Sequence, residues 1–314
     1  MKKYCYFLLL IIFISCSTEY HPSGLDINKS EYVVNGILEH GQLPAIYISK
    51  SHLYKSSVSE VDDILDVTLS WEDENGNLIS EQLVKADSFY MGNAEVFEGN
   101  KYHLHVDTPE GTLSATTVVP QAVPILSSRL IFPAGFMDTE TRSGPYFRIS
   151  FDLEAYSNED QFFEAFIYTD YWNVEDDEDP IYNLLKTYNN DELILRENLP
   201  SNYLHAFVFQ KEAGDPDQIS LAFDSTIGNP FFDDFFPVLL TVSEEYYNYK
   251  KSLVNHVDAI GSPNSFTLSD AYLPNIFKQI QPVYSNIEGG IGIFAGVSRS
   301  ELLTTCNLNG NVCE

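Results

Sequence analysis

From Ser30 onward, apolar residues recur at alternate positions in short runs, and turn residues separate the runs. Glu31 to Leu38 (EYVVNGIL), Pro44 to Ser49 (PAIYIS), Asp66 to Trp71 (DVTLSW) and Asn77 to Val84 (NLISEQLV) are rich in β-formers and predict strands. The last two flank Asn75-Gly76, a pair that favours a tight hairpin. Phe89 to Val96, Lys101 to Val106 (KYHLHV) and Thr112 to Val119 (TLSATTVV) extend the series. In KYHLHV, alternation puts Tyr102, Leu104 and Val106 on one face and His103 and His105 on the other. About seven strands at this spacing predict an immunoglobulin-like β-sandwich over residues 30–120. Tyr102 sits where such a sandwich carries a tyrosine corner, with plain core packing as the alternative.

Val118 to Leu126 (VVPQAVPIL) places two prolines between strands, a stiff extended connector and the expected domain boundary. Beyond it, Tyr146 to Leu153, Gln161 to Tyr168, Leu204 to Gln210, Gln218 to Phe223 and Pro237 to Val242 predict further strands, with an irregular section from Asp170 to Pro200. One segment changes period. Ser243 is a good N-cap, Glu244 and Glu245 complement the helix dipole, and Tyr246, Tyr249, Leu253, Val257 and Ile260 recur at spacings of three and four. They predict an amphipathic helix over 244–260, stopped by Gly261 and Pro263. Gln281 to Leu303 predicts strand, glycine turn, strand. Gly289, Gly290, Gly292 and Gly296 lack the Gly-Lys-Ser/Thr ending of a phosphate loop and indicate a bulge or close backbone approach. The fold class is therefore mainly β: an N-terminal immunoglobulin-like β-sandwich, then a second β-rich domain over 125–305 carrying one amphipathic helix, and a tail over 306–314.

The first residues obey different rules. Met1-Lys2-Lys3 precedes an uncharged run from Tyr4 to Ile14 and the small Ser15, the three-part pattern of a secretory signal, and too short to span a bilayer. Phe13-Ile14-Ser15-Cys16 resembles a lipoprotein box, with phenylalanine in place of the usual leucine. Residues 1–15 are read as a lipoprotein signal peptide and Cys16 as the lipidation site, against ordinary cleavage of a soluble secreted protein. Residues 16–29 are polar and form a tether.

Composition narrows the function classes. Hydrophobic residues at 44% suffice for packed cores. Without the leader, 15 basic residues face 46 acidic ones, a formal charge of −31. Such a chain lacks the basic footprint that nucleic acid needs and is not recruited to anionic lipid by charge, so membrane contact runs through the lipid anchor. Cys306 and Cys313 bracket Asn309-Gly310; a hairpin there brings them together as a disulfide, the alternative being two free thiols. No nucleophile elbow, zinc-protease helix, Walker sequence or dinucleotide fingerprint occurs, so no catalytic residue, metal ligand or cofactor is assigned. Val174 to Pro180 (VEDDEDP) lacks the spacing of a calcium loop and is read as an exposed acidic loop.

Aromatic residues are the remaining constellation. Tyr171 and Trp172, and Phe231, Phe232, Phe235 and Phe236, fall in two stretches that predict loops, where rings either dock a partner or ligand or fold inward to close the core. The leader cysteine, EYVVNGILEHGQLPAIYISKS, GNKYHLHVDTPEGTLSATTVVP, SEEYYNYKKSL and VYSNIEGGIGIFAGVS together resemble a lipoprotein family of Bacteroidota. Its members carry a domain of unknown function and are often encoded beside TonB-dependent outer-membrane receptors. The resemblance implies an outer-membrane lipoprotein with an amino-terminal sandwich, accessory to a receptor that imports a nutrient; with the export signal and the absent catalytic motifs, the expected role is non-enzymatic. A surface adhesin or glycan-binding module is the alternative, and a hydrolase with a cryptic site a more remote one.

Overall fold

The structure, a computed structural model, describes residues 30–51, 63–72, 76–138, 143–156, 159–171, 181–185, 187–199, 203–226, 235–260, 282–300, 306–307 and 312–313. The signal peptide, Cys16, the tether and the acidic loop lie outside them. The N-terminal part contributes β1 (Tyr32–Glu39), β2 (Ala45–Lys50), β3 (Asp66–Glu72), β4 (Leu78–Gln82), β5 (Val84–Ala86), β6 (Phe89–Met91), β7 (Lys101–Thr108) and β8 (Gly111–Val118). After the connector come β9 (Ile125–Asp138), β10 (Ser143–Glu154), β11 (Gln161–Tyr171), β12 (Ile181–Leu184), β13 (Thr187–Asn189), helix α1 (Glu192–Arg196), β14 (Tyr203–Leu204), β15 (Ala206–Lys211), β16 (Gln218–Ser225) and β17 (Phe235–Val242). Helix α2 (Glu244–Ile260), β18 (Ile291–Arg299), β19 (Cys306–Asn307) and β20 (Val312–Cys313) complete the set. The protein is mainly β, as the alternation predicts.

The strands form three sheets. One runs β4-β3-β7-β8, a second β14-β13-β16-β10-β9, and a long third β12-β11-β17-β18-β1-β2-β6-β5, with β15 also pairing with β11. The long sheet belongs to two sandwiches. Its β1-β2-β6-β5 half faces the four-stranded sheet over a core including Val34, Ile46, Trp71, Tyr102 and Leu104. Its β11-β17 half faces the five-stranded sheet over Phe151, Phe163, Phe209, Phe223 and Leu239. Helix α2 covers the other side of the long sheet, where Tyr246 and Tyr247 pack with Phe166, Leu240, Ile293 and Val297. Alternation along β11 decides this division: Phe163, Ala165 and Ile167 enter the sandwich core while Phe166 turns toward the helix.

The seam is β18. It pairs parallel with β1 from Val33↔Ile291 to Glu39↔Val297, and antiparallel with β17 at Leu240↔Arg299 to Val242↔Val297. Its Phe294 enters the N-terminal core, whereas Ile293, Ala295 and Val297 lie beneath α2. The glycines around it serve close approach, as expected. A Cβ on Gly292, whose φ is +122°, would meet the Val34 carbonyl, and one on Gly296 would meet the Val118 carbonyl and Val119 Cα. The strand expected before the glycine turn does not form over the described residues 282–288: Glu288 makes only an isolated bridge to Ser114, and the Asn286 side chain bonds the backbone of Phe294 in both directions.

Other elements depart from the sequence pattern for local reasons. Residues 77–84 do not form one strand, because Leu83 turns into the core and passes the chain from the four-stranded sheet to the long one. The strand expected over 89–96 stops at Met91, where Gly92 packs on Pro44 and donates to its carbonyl. The section read as irregular contains β12, β13 and α1, and β9 was not indicated by alternation because much of it is exposed on both faces. Tyr102 makes the tyrosine corner: its ring is buried and its hydroxyl accepts the Phe97 N–H at 2.8 Å.

Candidate functional site

The two sandwiches meet where the connector, the start of β11 and the β17-to-α2 corner converge. Polar side chains buried there tie the pieces together. Val123 N donates to Thr241 Oγ1 at 3.0 Å, Ser298 Oγ donates to the Pro120 carbonyl at 2.6 Å, and Ser300 Oγ donates to the Val123 carbonyl at 2.5 Å. Each satisfies a backbone group of the connector, which lies outside the strands of all three sheets. Ser243 caps α2, its Oγ accepting from Tyr246 N and from Gly296 N at 3.3 Å each. One hydroxyl thereby fixes the helix start to the seam strand.

A cleft of about 440 Å³ opens over this junction. Its walls include Val118, Pro120, Tyr156 and Phe162, and its rim carries Glu159, Asp160, Glu244 and Glu245. Two of the carboxylates are engaged: Glu245 accepts from Thr117 Oγ1 at 3.1 Å, and Asp160 accepts from Ala213 N at 2.9 Å. The lining contains no histidine, cysteine or lysine among the described residues and sets apolar surface beside negative charge. A second cleft of about 450 Å³, near the start of β1, is lined by polar residues and by Gly289 and Gly290.

Helix α2 is held on the long sheet by a repeated device. Tyr246 and Lys250 both reach buried Glu164, the phenol donating at 2.5 Å and the ammonium at 2.9 Å. One residue along, Tyr247 and Lys251 both reach buried Glu197, with Lys251 Nζ at 2.8 Å. The i, i+4 spacing stacks each Tyr above its Lys on one helix face. Burial, then the neighbouring Glu164 charge, pushes the Tyr246 phenol far above its usual range, so it remains a donor. Burial alone would pull the Lys251 ammonium down, but its bonds to Glu197 and Tyr247 outweigh that and the net shift is upward. The buried helix face is therefore centred on Tyr246 and Tyr247, with Tyr249 partly packed. Val257, predicted on that face, is 44% exposed. Apolar periodicity found Tyr246 and Tyr249 but missed Tyr247, which is held inward with Lys251 by the Glu197 carboxylate.

The residues singled out from sequence are dispersed. Phe235 lies in β17, not in a loop; its ring is 0% exposed and packs on Phe147 at 4.7 Å between centroids, so it is core and not a docking ring. Phe236 is a half-buried residue of the same strand. Tyr171 ends β11, and its side chain, like Trp172, Phe231 and Phe232, lies outside the described residues. The backbone sets Cys306 directly opposite Cys313 across β19 and β20; their side chains are outside the description. His103 bonds Thr116 and half-exposed His105 bonds Asp107. Among the described residues, no group of three or more His, Cys, Asp or Glu is placed to hold a metal ion, and no helix is long and apolar enough to cross a membrane. Ser243 was legible as a helix cap, but the junction hydroxyls of Thr241, Ser298 and Ser300 carry no motif. The prolines opposite them were the available signal.

Sequence comparison adds a family. The model of a domain of unknown function, DUF4249, matches residues 17–302. The chain belongs to that family. The DUF4249 region thus takes in both sandwiches, α2 and the seam strand. No curated protein matches the chain. Among solved structures, it is similar to a DUF4785 family protein from Legionella pneumophila, at 12% identity and a TM-score of 0.24, over 66% of this chain and 52% of that one. It is also similar to native Escherichia coli alpha-2-macroglobulin, at 8% identity and a TM-score of 0.20, over 68% of this chain and 13% of that one. The chain thus spans about half of the first protein and a small part of the second. At such TM-scores neither likeness carries functional weight.

Proposed function

We propose that this DUF4249 protein is an outer-membrane lipoprotein, anchored through Cys16, that acts without catalysis as an accessory or substrate-capturing partner of a TonB-dependent β-barrel receptor. The observation that carries the proposal is the leader: a charged start, an apolar run and Phe13-Ile14-Ser15-Cys16, directly followed by the family region that begins at residue 17. Two or more acyl chains on one cysteine supply the stable anchoring that a single chain does not. The receptor partnership rests on the resemblance to lipoproteins of Bacteroidota encoded beside such receptors. A junction cleft with apolar walls and a carboxylate rim is consistent with holding a ligand rather than converting it.

Mild-detergent extraction of the native membrane, followed by capture of the tagged protein, tests both parts. The tagged protein is expected in the membrane fraction with a β-barrel receptor at comparable abundance, and Cys16→Ala is expected to release it from that fraction. Recovery of wild type from membranes as a stable monomer would overturn the partnership, and membrane retention of Cys16→Ala would overturn the anchor. The glycan-binding alternative would be favoured by retention on immobilised polysaccharide that Trp172→Ala abolishes.

A further inference from the structure

The chain holds four cysteines. Cys5 lies in the leader and Cys16 is the acylation site of the proposed anchor, which leaves Cys306 and Cys313 as the thiols of the folded body. Asn309-Gly310 between them is a favoured turn pair. β19 and β20 run antiparallel, with Cys306 paired to Cys313 and Asn307 to Val312. Directly opposite residues of an antiparallel pair have Cα atoms about 4.5 or 5.5 Å apart and share one face of the ladder. Both spacings fall within the range of about 4.4–6.8 Å that a disulfide bridges without moving the backbone.

The hairpin occupies a particular place in the long sheet. β11 pairs with one edge of β17 from Phe162↔Val242 to Thr169↔Phe235. On the other edge β18 pairs only with Leu240 to Val242, and Phe235 pairs instead with Cys306. β19 therefore continues the edge that β18 leaves, and β20 joins the sheet through β19 alone. Both short strands also run beside β9 of the five-stranded sheet, next to the core that holds buried Phe235. Yet β19 and β20 have two residues each, and a two-stranded hairpin is marginal in water by itself. A covalent bond across the pair supplies the hold that so few hydrogen bonds do not.

We propose that Cys306 and Cys313 form a disulfide that clasps the β19–β20 hairpin to the edge of β17. The two thiols give up two protons and two electrons to a disulfide-bearing thiol oxidase of the cell envelope. One thiolate attacks the oxidase disulfide and forms a mixed disulfide. The other attacks that bond at the first cysteine's sulfur and releases the oxidase as its dithiol. The bond rests on the export reading for an oxidising compartment, where disulfides persist. The ring it closes is short, so it holds the hairpin rather than the whole fold.

Trypsin leaves both cysteines in one peptide, because no lysine or arginine lies between Arg299 and Cys313. Full-chain protein is taken from native cells quenched with N-ethylmaleimide, then digested and weighed with and without reduction and a second alkylation. The peptide is expected to be two hydrogens lighter than the dithiol and to be alkylated only after reduction. Maleimide on the unreduced peptide, or a bond from either cysteine to another thiol, would overturn the disulfide. Acylation of Cys16 is read in the same digest. Free thiols beside an acylated Cys16 would overturn the clasp and leave export standing, whereas a bonded peptide beside an unmodified Cys16 would uphold the clasp and overturn the anchor. Hydrogen exchange of the oxidised protein is then compared with reduced wild type and with Cys306→Ser/Cys313→Ser. Loss of the bond is expected to speed exchange across β19–β20 at least about tenfold and to leave Leu240 to Val242, paired with β18, unchanged. Equal exchange in all three would overturn the clasp.

Discussion

The seam between the sandwiches can be tested by adding one carbon atom. Gly292, Gly296 and Gly99 separate the two ways in which a glycine becomes irreplaceable. Gly99 has φ +78° with nothing within 4 Å of a built Cβ, so alanine there meets only the left-handed backbone penalty. That penalty is about 1–2 kcal/mol, partly offset by reduced freedom of the unfolded chain. Gly296 has no positive φ, but its Cβ would enter the Val118 carbonyl and Val119 Cα, backbone atoms that move only if β8 leaves β18. Overpacking of this kind costs about 1–3 kcal/mol or more. Gly292 combines both: φ is +122° and the Cβ would land on the Val34 carbonyl of the parallel neighbour β1. The sum, about 2–5 kcal/mol or more, reaches the range that separates disruption from ordinary destabilisation. Urea unfolding followed by tryptophan fluorescence and far-UV circular dichroism should give the order Gly292→Ala, Gly296→Ala, Gly99→Ala from most to least destabilised. A Gly292→Ala protein no less stable than Gly99→Ala would refute the parallel β1–β18 contact, and with it the shared sheet.

Three further outcomes are expected. Lys250→Met strands the buried Glu164 carboxylate with a single phenol and should cost about 2 kcal/mol, since Lys250 is partly exposed; Glu164→Gln/Lys250→Met, which removes the stranded charge and keeps an acceptor for Tyr246, should recover most of it. Tyr102→Phe leaves the Phe97 N–H without its partner and should lower stability by about 1–3 kcal/mol in urea titration, with the secondary structure unchanged. Asp215 is held below its usual 3.8 by the Arg196 hydrogen bond, then by the Glu212 N–H. A lowered folded value contributes stability that is present above 3.8 and lost as pH falls through the folded value, so Asp215→Asn should destabilise at neutral pH and converge on wild type in strong acid. A constant gap between the two proteins down to the acid limit, by thermal melts across pH, would contradict the Arg196 pairing.

Local physics made much of this molecule legible in its sequence. Strands β1, β2, β3, β7, β8 and β10 follow from alternation because each has a wet face and a dry one, while β11 is buried on both faces and is legible from its β-formers. The bounds of α2 follow from Ser243, the two glutamates and the change of period. The four glycines near residue 290 pointed to a bulge or close backbone approach, and Tyr102 to a corner or plain packing; the structure shows close approach and the corner. Pairing across hundreds of residues is what only the tertiary structure decided. Nothing local tells β18 that β1 lies on one side and β17 on the other, because a strand satisfied on both edges looks the same whichever strands satisfy them. Inward lysines, the junction hydroxyls and the buried ring of Phe235 are likewise settled by partners distant in sequence. Outward Tyr47, Phe89 and Val84 are a further instance, since each looks like an ordinary β-former by itself. They become a surface only when β2, β6 and β5 are laid edge to edge, because a patch is a property of neighbours in space.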